Sequence, residues 1–230
     1  MPIKKIGVIG CGWLGKPLSL SLSEDYAVEC FSREKTTDDS AFWQSDTIII
    51  AINTKDNYLQ TLEKIAKLST CKTNIILMSS ISVYREFDTQ VDERAVITKK
   101  TLQKEAEELM QDLRDNLVIL RLGGLMGYDR IAGRWKKVST FSDGEVNYIH
   151  RDDVINITKQ IIFHDIKNGL FNLVAPQHPL RSKVHKKNTK KFNLTLGTFD
   201  GKTNRIIICK DIQDRLNYKF AYPNPLEFWD

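Results

Sequence analysis

Three glycines close to the amino terminus have the spacing of a phosphate-binding loop. Gly10, Gly12 and Gly15 form the pattern G-x-G-x-x-G between the apolar run "KKIGVIG" and the helix-like stretch "WLGKPLSLSLSE". Between a strand and a helix, such glycines allow a tight turn, the close approach of a pyrophosphate and the packing of helix on strand. The free N–H groups at the start of the helix would then bind the anion. The pattern predicts a dinucleotide-binding loop that includes Trp13 and Leu14; the alternative is a glycine-rich turn without a ligand.

The end of the second predicted strand bears on which dinucleotide would bind. An acidic residue there binds the ribose hydroxyls of NAD, whereas an arginine accommodates the 2′-phosphate of NADP. The chain reads "CFSREK", with Ser32 near the expected acidic position, Arg33 directly after it and Lys35 close by. Glu34 keeps NAD open as the second choice. The sequence therefore favours NADP, with Ser32 and Arg33 among its contacts.

Size and hydropathy indicate a globular protein. The chain has 230 residues and a net charge of +5, which suits one sizeable core or one domain with a small appendage. Its apolar runs are much shorter than the roughly 20 residues that cross a bilayer, and no signal-peptide cleavage site follows its first apolar stretch. We therefore expect a cytoplasmic protein without membrane contact.

Cysteines and basic residues point to no separate site. The four cysteines lie far apart, without a C-x-x-C pair or a histidine at ligand spacing. This spacing argues against a metal site and against a disulfide framework, and it favours small buried thiols. Much of the positive charge lies in "RSKVHKKNTKKF", which has no interleaved aromatic residues. A solvated helix face is the favoured interpretation of that stretch, and nucleic-acid binding is the less favoured one.

Strand and helix signals alternate through the first half of the chain, which is typical of a parallel sheet flanked by helices. Further strands are predicted at "YAVECFS", "SDTIIIAI", "TNIILMSS" and "NLVILRL". The expected fold is α/β, a doubly wound parallel sheet of the Rossmann type, with residues 1–127 as the dinucleotide-binding core. Residues 128–230 are expected to form a small C-terminal portion that partly completes the sheet and covers a substrate cleft as a lid.

Four phrases beyond the glycine loop resemble the motifs of one enzyme family. "SSISVYRE" is similar to S-S-x-x-V-Y-G, "LRLGGLMGYDR" to L-R-x-x-x-x-Y-G-P-x-R, "VNYIHRDDV" to F-I-H-V-D-D-V and "GLFNLV" to G-x-Y-N-V. In this order they resemble the extended short-chain dehydrogenases/reductases, the NAD-dependent epimerase/dehydratase group. The resemblance covers residues 3–175 and is closest to a short, atypical branch described mainly as NAD(P)-binding. It implies a nicotinamide cofactor, a small-molecule substrate and, by family habit, a homodimer.

For the cofactor, the resemblance implies contacts from four residues beyond the glycine loop. Asn53, at the end of "IIIAIN", would border the cofactor, and Ser79 would lie beside it. Leu122 and Gly123 occupy the loop that lies against the nicotinamide in the family.

On the substrate side, the resemblance assigns the chemistry to one serine and one tyrosine. Ser80 matches the catalytic serine, which hydrogen-bonds the substrate carbonyl or hydroxyl, and Tyr84 matches a substrate-side tyrosine. Gly124 and Arg130 match substrate-binding positions, the arginine lying where substrate phosphates are gripped. The alternative for Ser79 and Ser80 is that they simply end a strand.

The chain departs from the family at its proton-transfer pair. The family uses Tyr-x-x-x-Lys on one helical turn, where the lysine charge lowers the pKa of the tyrosine. No tyrosine here precedes a lysine by four residues, and the matching places hold Ile97 and Thr101. The candidate substitutes are three lysines of the next predicted helix and two phenols: Lys99, Lys100, Lys104, Tyr84 and Tyr128.

Two functions are consistent with these motifs. The first is an NAD(P)-dependent oxidoreductase or epimerase that acts on a small polar or nucleotide-linked substrate, with Ser80 polarising the reacting oxygen. The second is a non-catalytic sensor or regulatory protein that binds NADP(H), because the usual proton-transfer pair is missing.

Overall fold

The computed structural model describes residues 3–31, 40–54, 57–134 and 140–230. The strands are β1 (Lys5–Ile9), β2 (Ala27–Phe31), β3 (Thr47–Ile50), β4 (Asn74–Ser80), β5 (Gln90–Val91), β6 (Leu117–Leu122), β7 (Gly124–Met126), β8 (Thr140–Gly144), β9 (Tyr148–His150), β10 (Gly169–Leu173), β11 (Thr198–Thr203) and β12 (Ile206–Ile207). The helices are α1 (Gly15–Leu22), α2 (Ser40–Trp43), α3 (Tyr58–Leu68), α4 (Leu102–Leu113), α5 (Arg151–Phe163), α6 (Arg181–Phe192) and α7 (Asp211–Leu216). Within the described ranges, no helix has the length and hydropathy needed to cross a membrane.

Six strands form one parallel sheet, in the order β10–β6–β4–β3–β1–β2. Every residue of β3 and of β6 is buried. Such uniformly apolar strands are stable only where both faces of a sheet are covered, which is the usual condition of a parallel sheet. The predicted α/β fold with a doubly wound parallel sheet is confirmed.

The order of the strands reverses at β1. This strand pairs with β2 on one side and with β3 on the other, so that Ile9 lies opposite both Phe31 and Ile50. At such a reversal the connections leave the sheet in opposite directions and open a crevice at the carboxyl ends of the strands, where α/β proteins bind ligands. The glycine loop follows β1 directly and therefore lies at this crevice.

Helix α3 buries one apolar stripe against the sheet. Tyr58, Leu62 and Ile65 belong to the main apolar cluster beside the sheet, whereas Leu68 at the end of the helix is 38% exposed. The connection before β3 contributes aromatic rings to the same cluster. The rings of Phe42 and Trp43 meet edge to face with 5.1 Å between their centroids.

The molecule divides into two compact units that are not separated by a single cut of the chain. The first unit contains Met1–Val83, Thr98–Arg121 and Ile157–Phe171, and the second contains Tyr84–Ile97, Leu122–Asn156 and Asn172–Asp230. This division differs from the predicted boundary at residue 127. The reason is that late segments of the chain, including most of β10, return to the first unit.

In the second unit, short strands pair in parallel: β7 with β9, β8 with β11, and β12 with β5. A strand is predicted along "TNRIIIC", and the structure confines it to Ile206–Ile207. Ala132, Val146 and Val184 form a small apolar cluster. The exposed side of α6 carries lysines, as the sequence predicts for this basic helix.

His185 is a buried histidine on α6. It is 1% exposed, and its ring meets those of Phe141 and Phe199 at centroid distances of 5.2 Å and 5.6 Å. Burial, together with the positive charge of Arg181, lowers the pKa of His185 to about 4. The imidazole is therefore neutral in the folded protein across the physiological range.

We expect this histidine to make the protein sensitive to acid. Because its pKa is lower in the folded than in the unfolded chain, the unfolded chain takes up a proton first as the pH falls through about 6.5. The free energy of unfolding should fall by up to about 3 kcal/mol between about pH 6.5 and about pH 4, and this contribution should change no further below that range. Urea unfolding at several pH values measures the effect. A His185→Gln variant should lose this part of the pH dependence, and an unchanged acid slope in that variant would contradict the prediction.

Candidate functional site

The first turn of the glycine loop requires glycine at position 10. Gly10 has φ = +101°, and a Cβ on it would lie 2.5 Å from the carbonyl oxygen of Ala51. Its N–H donates to the carbonyl of Phe31 at 3.1 Å, and the N–H of Ala51 donates to Ile9 at 2.8 Å. The loop is thus held between the ends of β2 and β3, and only glycine fits this conformation and this space.

The other two glycines differ in what surrounds them. A Cβ on Gly15, the first residue of α1, would lie 2.0 Å from the carbonyl oxygen of Gly10, so that helix and loop are in direct backbone contact. A Cβ on Gly12 would meet nothing within 4 Å. Gly15 therefore serves packing, and Gly12 leaves open space in front of the helix. This is the arrangement that a pyrophosphate needs.

The neighbours of the loop that the sequence predicts as cofactor contacts differ in their exposure. Leu14 is buried, Trp13 is half-buried, and Asn53 is exposed just beyond β3, on the far side of the reversal from β2. The loop and Asn53 thus flank the same crevice. The predicted contacts Ser32 and Arg33 lie outside the described residues.

Two cysteines of this region are joined to each other, contrary to the sequence expectation of separate buried thiols. Cys11, between the first two glycines, and Cys30, in β2, form a disulfide with their Cα atoms 5.9 Å apart. The two cysteines are 19 positions apart in the sequence, and the pairing of β1 with β2 brings them together, which their spacing alone does not indicate. Of the other two cysteines, Cys209 is the expected buried thiol and Cys71 is exposed.

A buried ion pair that the sequence does not predict supports the end of β4. The side chains of Glu107 on α4 and Arg121 on β6 are 1% and 3% exposed. The Nη2 of Arg121 donates to Oε2 of Glu107 at 2.6 Å, and its Nε donates to Oε1 at 3.0 Å. The hydroxyl of Ser79 donates to the same Oε1 at 2.6 Å. These contacts favour a structural role for the Ser79 hydroxyl over the predicted cofactor contact.

Ser80 lies directly after this anchored residue. Its Oγ accepts a hydrogen bond from the N–H of Ser82 at 3.1 Å, at the start of the 3₁₀ turn Ile81–Tyr84. Within the described part of the chain its hydroxyl proton has no other acceptor, so it is available to a ligand. Ser80 thus keeps the hydrogen-bonding capacity that a polarising serine needs.

Tyr84 has a different environment from the one that its predicted role requires. It is fully buried in the second unit, and its phenol donates to Oδ1 of Asn172 at 3.0 Å. Asn172 in turn donates to the carbonyl of Ile208 at 3.0 Å. A group that exchanges protons with a substrate must reach it, so these contacts favour a structural role for Tyr84 over the predicted catalytic one.

The segment from Leu122 to Gly124 crosses the second unit in close backbone contact. Leu122 is buried, the N–H of Gly123 donates to Leu173 at 2.9 Å, and that of Gly124 donates to Asn147 at 2.8 Å. A Cβ on Gly123 would lie 2.6 Å from the carbonyl oxygen of Asn147, and a Cβ on Gly124 would lie 2.7 Å from the ring of Tyr148, so close packing explains both glycines. The predicted cofactor and substrate contacts of this segment remain predictions.

Tyr128 and Arg130 lie on a tight turn after β7. Tyr128 has φ = +54°, and its phenol donates to Oδ2 of Asp152 at 2.7 Å. This hydrogen bond raises the pKa of Tyr128, so its phenol is a weaker acid than a free one. Tyr128 is therefore a poor substitute for the missing proton-transfer tyrosine. Arg130 is exposed, as a residue that grips a substrate phosphate would be.

The candidate lysines do not share a helix, contrary to expectation. Helix α4 begins at Leu102, because the Thr101 hydroxyl accepts the N–H of Lys104 at 3.1 Å and caps the helix there. Lys99 and Lys100 precede this cap. Lys104 pairs with Glu108 at 3.0 Å on the helix surface.

Arg205 in the second unit lies near two other arginines, Arg85 and Arg181, and no sequence motif marks it. Burial, and then the positive charges of Arg85 and Arg181, lower the pKa of Arg205. Its Nη1 donates to the Tyr84 carbonyl at 3.2 Å, while its Nε is buried with no partner in the described ranges. Neighbouring positive charges repel one another, and an anion between them relieves this cost. The carboxylate of Asp88 acts in the opposite direction and raises the pKa of Arg205.

The chain matches no family model. In sequence it is similar to Protein YeeZ of Escherichia coli (strain K12), with 28% identity over 97% of this chain and 98% of that protein. In structure it is similar to UDP-glucuronic acid 4-epimerase from Bacillus cereus in complex with NAD, with a TM-score of 0.77, 16% identity and coverage of 97% and 95% of the two chains. It is also similar to human epimerase family protein SDR39U1 (isoform 2) with NADPH, with a TM-score of 0.74, 13% identity and coverage of 97% of each chain.

These likenesses define the class of fold. The protein has the Rossmann fold of the NAD-dependent epimerase/dehydratase and extended short-chain dehydrogenase/reductase proteins, so the family resemblance drawn from the motifs is confirmed at the level of fold.

Proposed function

We propose that the protein binds NADP(H) at the glycine loop and acts as an oxidoreductase or epimerase on a small polar substrate, with NAD as the alternative cofactor. The observation that carries the proposal is the loop after β1: it lies at the reversal of the sheet, and Gly12 leaves open space in front of α1. Arg33 supports NADP over NAD from the sequence. The two structural relatives named above contain NAD in one case and NADPH in the other.

The residues of the chain would have the following roles in binding and catalysis. The loop N–H groups at the start of α1 would bind the pyrophosphate, and Asn53 would border the cofactor. A bound nicotinamide supplies hydride transfer. The hydroxyl of Ser80 would donate a hydrogen bond to the reacting oxygen, held in place by Ser82 and by the neighbouring anchor of Ser79 on Glu107. No proton-transfer residue is assigned, since Tyr84 and Tyr128 are both committed to other partners.

The substrate is proposed to carry a negative charge. Arg205 lies near Arg85 and Arg181, and Arg130 is an exposed arginine of the same unit. Arginine side chains are the usual partners of phosphates and carboxylates. A nucleotide-linked or phosphorylated polar compound fits this chemistry. The protein is further proposed to be cytoplasmic and to form a homodimer.

A sensor without catalysis is the second candidate. The missing Tyr-x-x-x-Lys pair and the buried hydrogen bond of Tyr84 favour it. Such a protein would bind NADP(H) at the same loop but would not turn over a substrate.

Titration with NADPH and NADH tests the binding proposal. The wild-type protein should bind NADPH more tightly than NADH, and a Gly12→Val variant should lose at least about tenfold in affinity for both, about 1.4 kcal/mol. The added side chain fills the space in front of the helix. Its thermal unfolding should be unchanged, because a Cβ at this position meets nothing within 4 Å. Equal affinity of the variant and the wild-type protein would overturn the proposed site.

Oxidation of NADPH with a panel of phosphorylated, carboxylated and neutral substrates separates enzyme from sensor. For an enzyme, a Ser80→Ala variant should lose about 10²-fold in kcat, as expected for one hydrogen bond to the reacting oxygen, with NADPH affinity unchanged. Full turnover in that variant would remove Ser80 from the mechanism. Tight binding without turnover on any substrate would favour the sensor.

A further inference from the structure

We propose that Cys11 and Cys30 form a redox-controlled pair that regulates dinucleotide binding. The proposal rests on the binding function proposed above. It starts from the disulfide that joins the glycine loop to β2.

The position of this disulfide relates it to the cofactor. Cys11 lies between Gly10 and Gly12, in the part of the loop that faces a pyrophosphate. Cys30 follows it by 19 residues, at the end of the second strand, where Rossmann proteins contact the adenosine ribose. The disulfide therefore links the two parts of the chain that a dinucleotide would touch together.

The pairing of β2 with β1 does not depend on this bond. Five residue pairs place the two strands side by side, from Lys5 and Ala27 to Ile9 and Phe31. The N–H of Gly10 adds a hydrogen bond to the Phe31 carbonyl at 3.1 Å. Reduction would thus leave the sheet and the hydrogen bond of Gly10 intact, and it would remove only the covalent restraint on Cys11.

Both cysteines are half-buried, so a small reagent can reach them. In a cytoplasmic protein such a disulfide is expected to be transient and regulatory. The partner chemistry is thiol–disulfide exchange with a small-molecule disulfide such as oxidised glutathione. The glutathione S–S bond breaks and the Sγ–Sγ bond of Cys11 and Cys30 forms. Two electrons pass from the protein to glutathione, and the two thiol protons end on two glutathione thiols.

The disulfide-bonded state is the one competent to bind. In this state Gly10 makes the tight turn, Gly15 packs on it, and the space before Gly12 is open. A loop fixed in its binding conformation loses less conformational entropy when the ligand arrives. Reduction removes this restraint from Cys11 and so lowers affinity. By linkage, bound dinucleotide must favour the disulfide by the same factor.

The test compares NADPH binding to the oxidised protein and to the protein reduced with dithiothreitol. We expect the oxidised form to bind about five- to tenfold more tightly. A Cys11→Ser/Cys30→Ser variant should bind as the reduced protein does and should not respond to oxidation. A Cys71→Ser variant, which removes an exposed cysteine outside the pair, should respond like the wild-type protein.

A second measurement determines how much of the protein contains the disulfide. Mass spectrometry of alkylated peptides gives the fraction of Cys11–Cys30 disulfide in glutathione buffers of graded ratio, with and without NADPH. NADPH should shift the midpoint ratio toward the disulfide by the same five- to tenfold factor. Absence of the disulfide at every ratio, or equal NADPH affinity of both forms, overturns the proposed control. Absence of binding in both forms, with the disulfide present, shows that the dinucleotide function itself has failed.

Discussion

A Glu107→Gln variant is expected to lower the free energy of unfolding by about 3–5 kcal/mol. The carboxylate accepts three hydrogen bonds from Arg121 and one from Ser79, and the side chains of Glu107 and Arg121 are buried in the first unit. Glutamine keeps the shape but removes the charge, so the Arg121 guanidinium would stay buried without a counter-ion. Denaturant unfolding measures the change.

The matched control removes both charges. A Glu107→Leu/Arg121→Met variant leaves no buried ion without its partner and should recover much of the loss, because replacing a buried pair with apolar residues is often neutral. If the double variant is less stable than Glu107→Gln alone, the stabilising role of charge pairing at this position is refuted.

A Gly15→Ala variant is expected to cost about 3 kcal/mol of stability and to abolish dinucleotide binding. The new Cβ would lie 2.0 Å from the carbonyl oxygen of Gly10, which is backbone and cannot rotate away. Either α1 must move from β1 or the loop must open, and each change moves the N–H groups that would bind the pyrophosphate. Thermal unfolding and NADPH titration measure the two effects.

Gly12→Ala is the control for this substitution. It adds the same methyl group three residues earlier, where a Cβ meets nothing within 4 Å. Its stability should match that of the wild-type protein, and only its binding should weaken. Equal unfolding temperatures for Gly15→Ala and Gly12→Ala would show that the loop is not packed as described.

The sheet could be predicted because the composition of its strands indicates that both of their faces are buried. "TIII" and "LVILRL" are too apolar for a strand with a solvent face, and strict alternation with helices allows little else than a parallel sheet. The glycine loop could be predicted equally well, because each of its glycines meets a different steric requirement of such a loop. The pairing of Ile206–Ile207 with Gln90–Val91 could not be predicted, because tertiary contacts determine so short a pair of strands.

The polar parts of the site were harder to foresee for a related reason. Arg121 in an apolar strand was a visible signal that a buried partner exists, but nothing in the sequence identified Glu107 among several glutamates of α4. The disulfide and the arginine group depend on residues brought together across long separations. Tyr84 shows the converse: a motif match identified the position, and only the structure gave its partner, Asn172.

The place of β6 in the sheet has a consequence for synthesis of the chain. This strand lies between β4 and β10, and all six of its residues are buried, yet β10 starts only at Gly169. At about 5–20 residues per second, the ribosome needs several seconds to add the roughly 50 intervening residues. During that time the nascent sheet has an apolar strand at its open edge, the kind of edge that pairs with other chains. Translation speed and chaperone capacity should therefore govern how much of this protein reaches its native state.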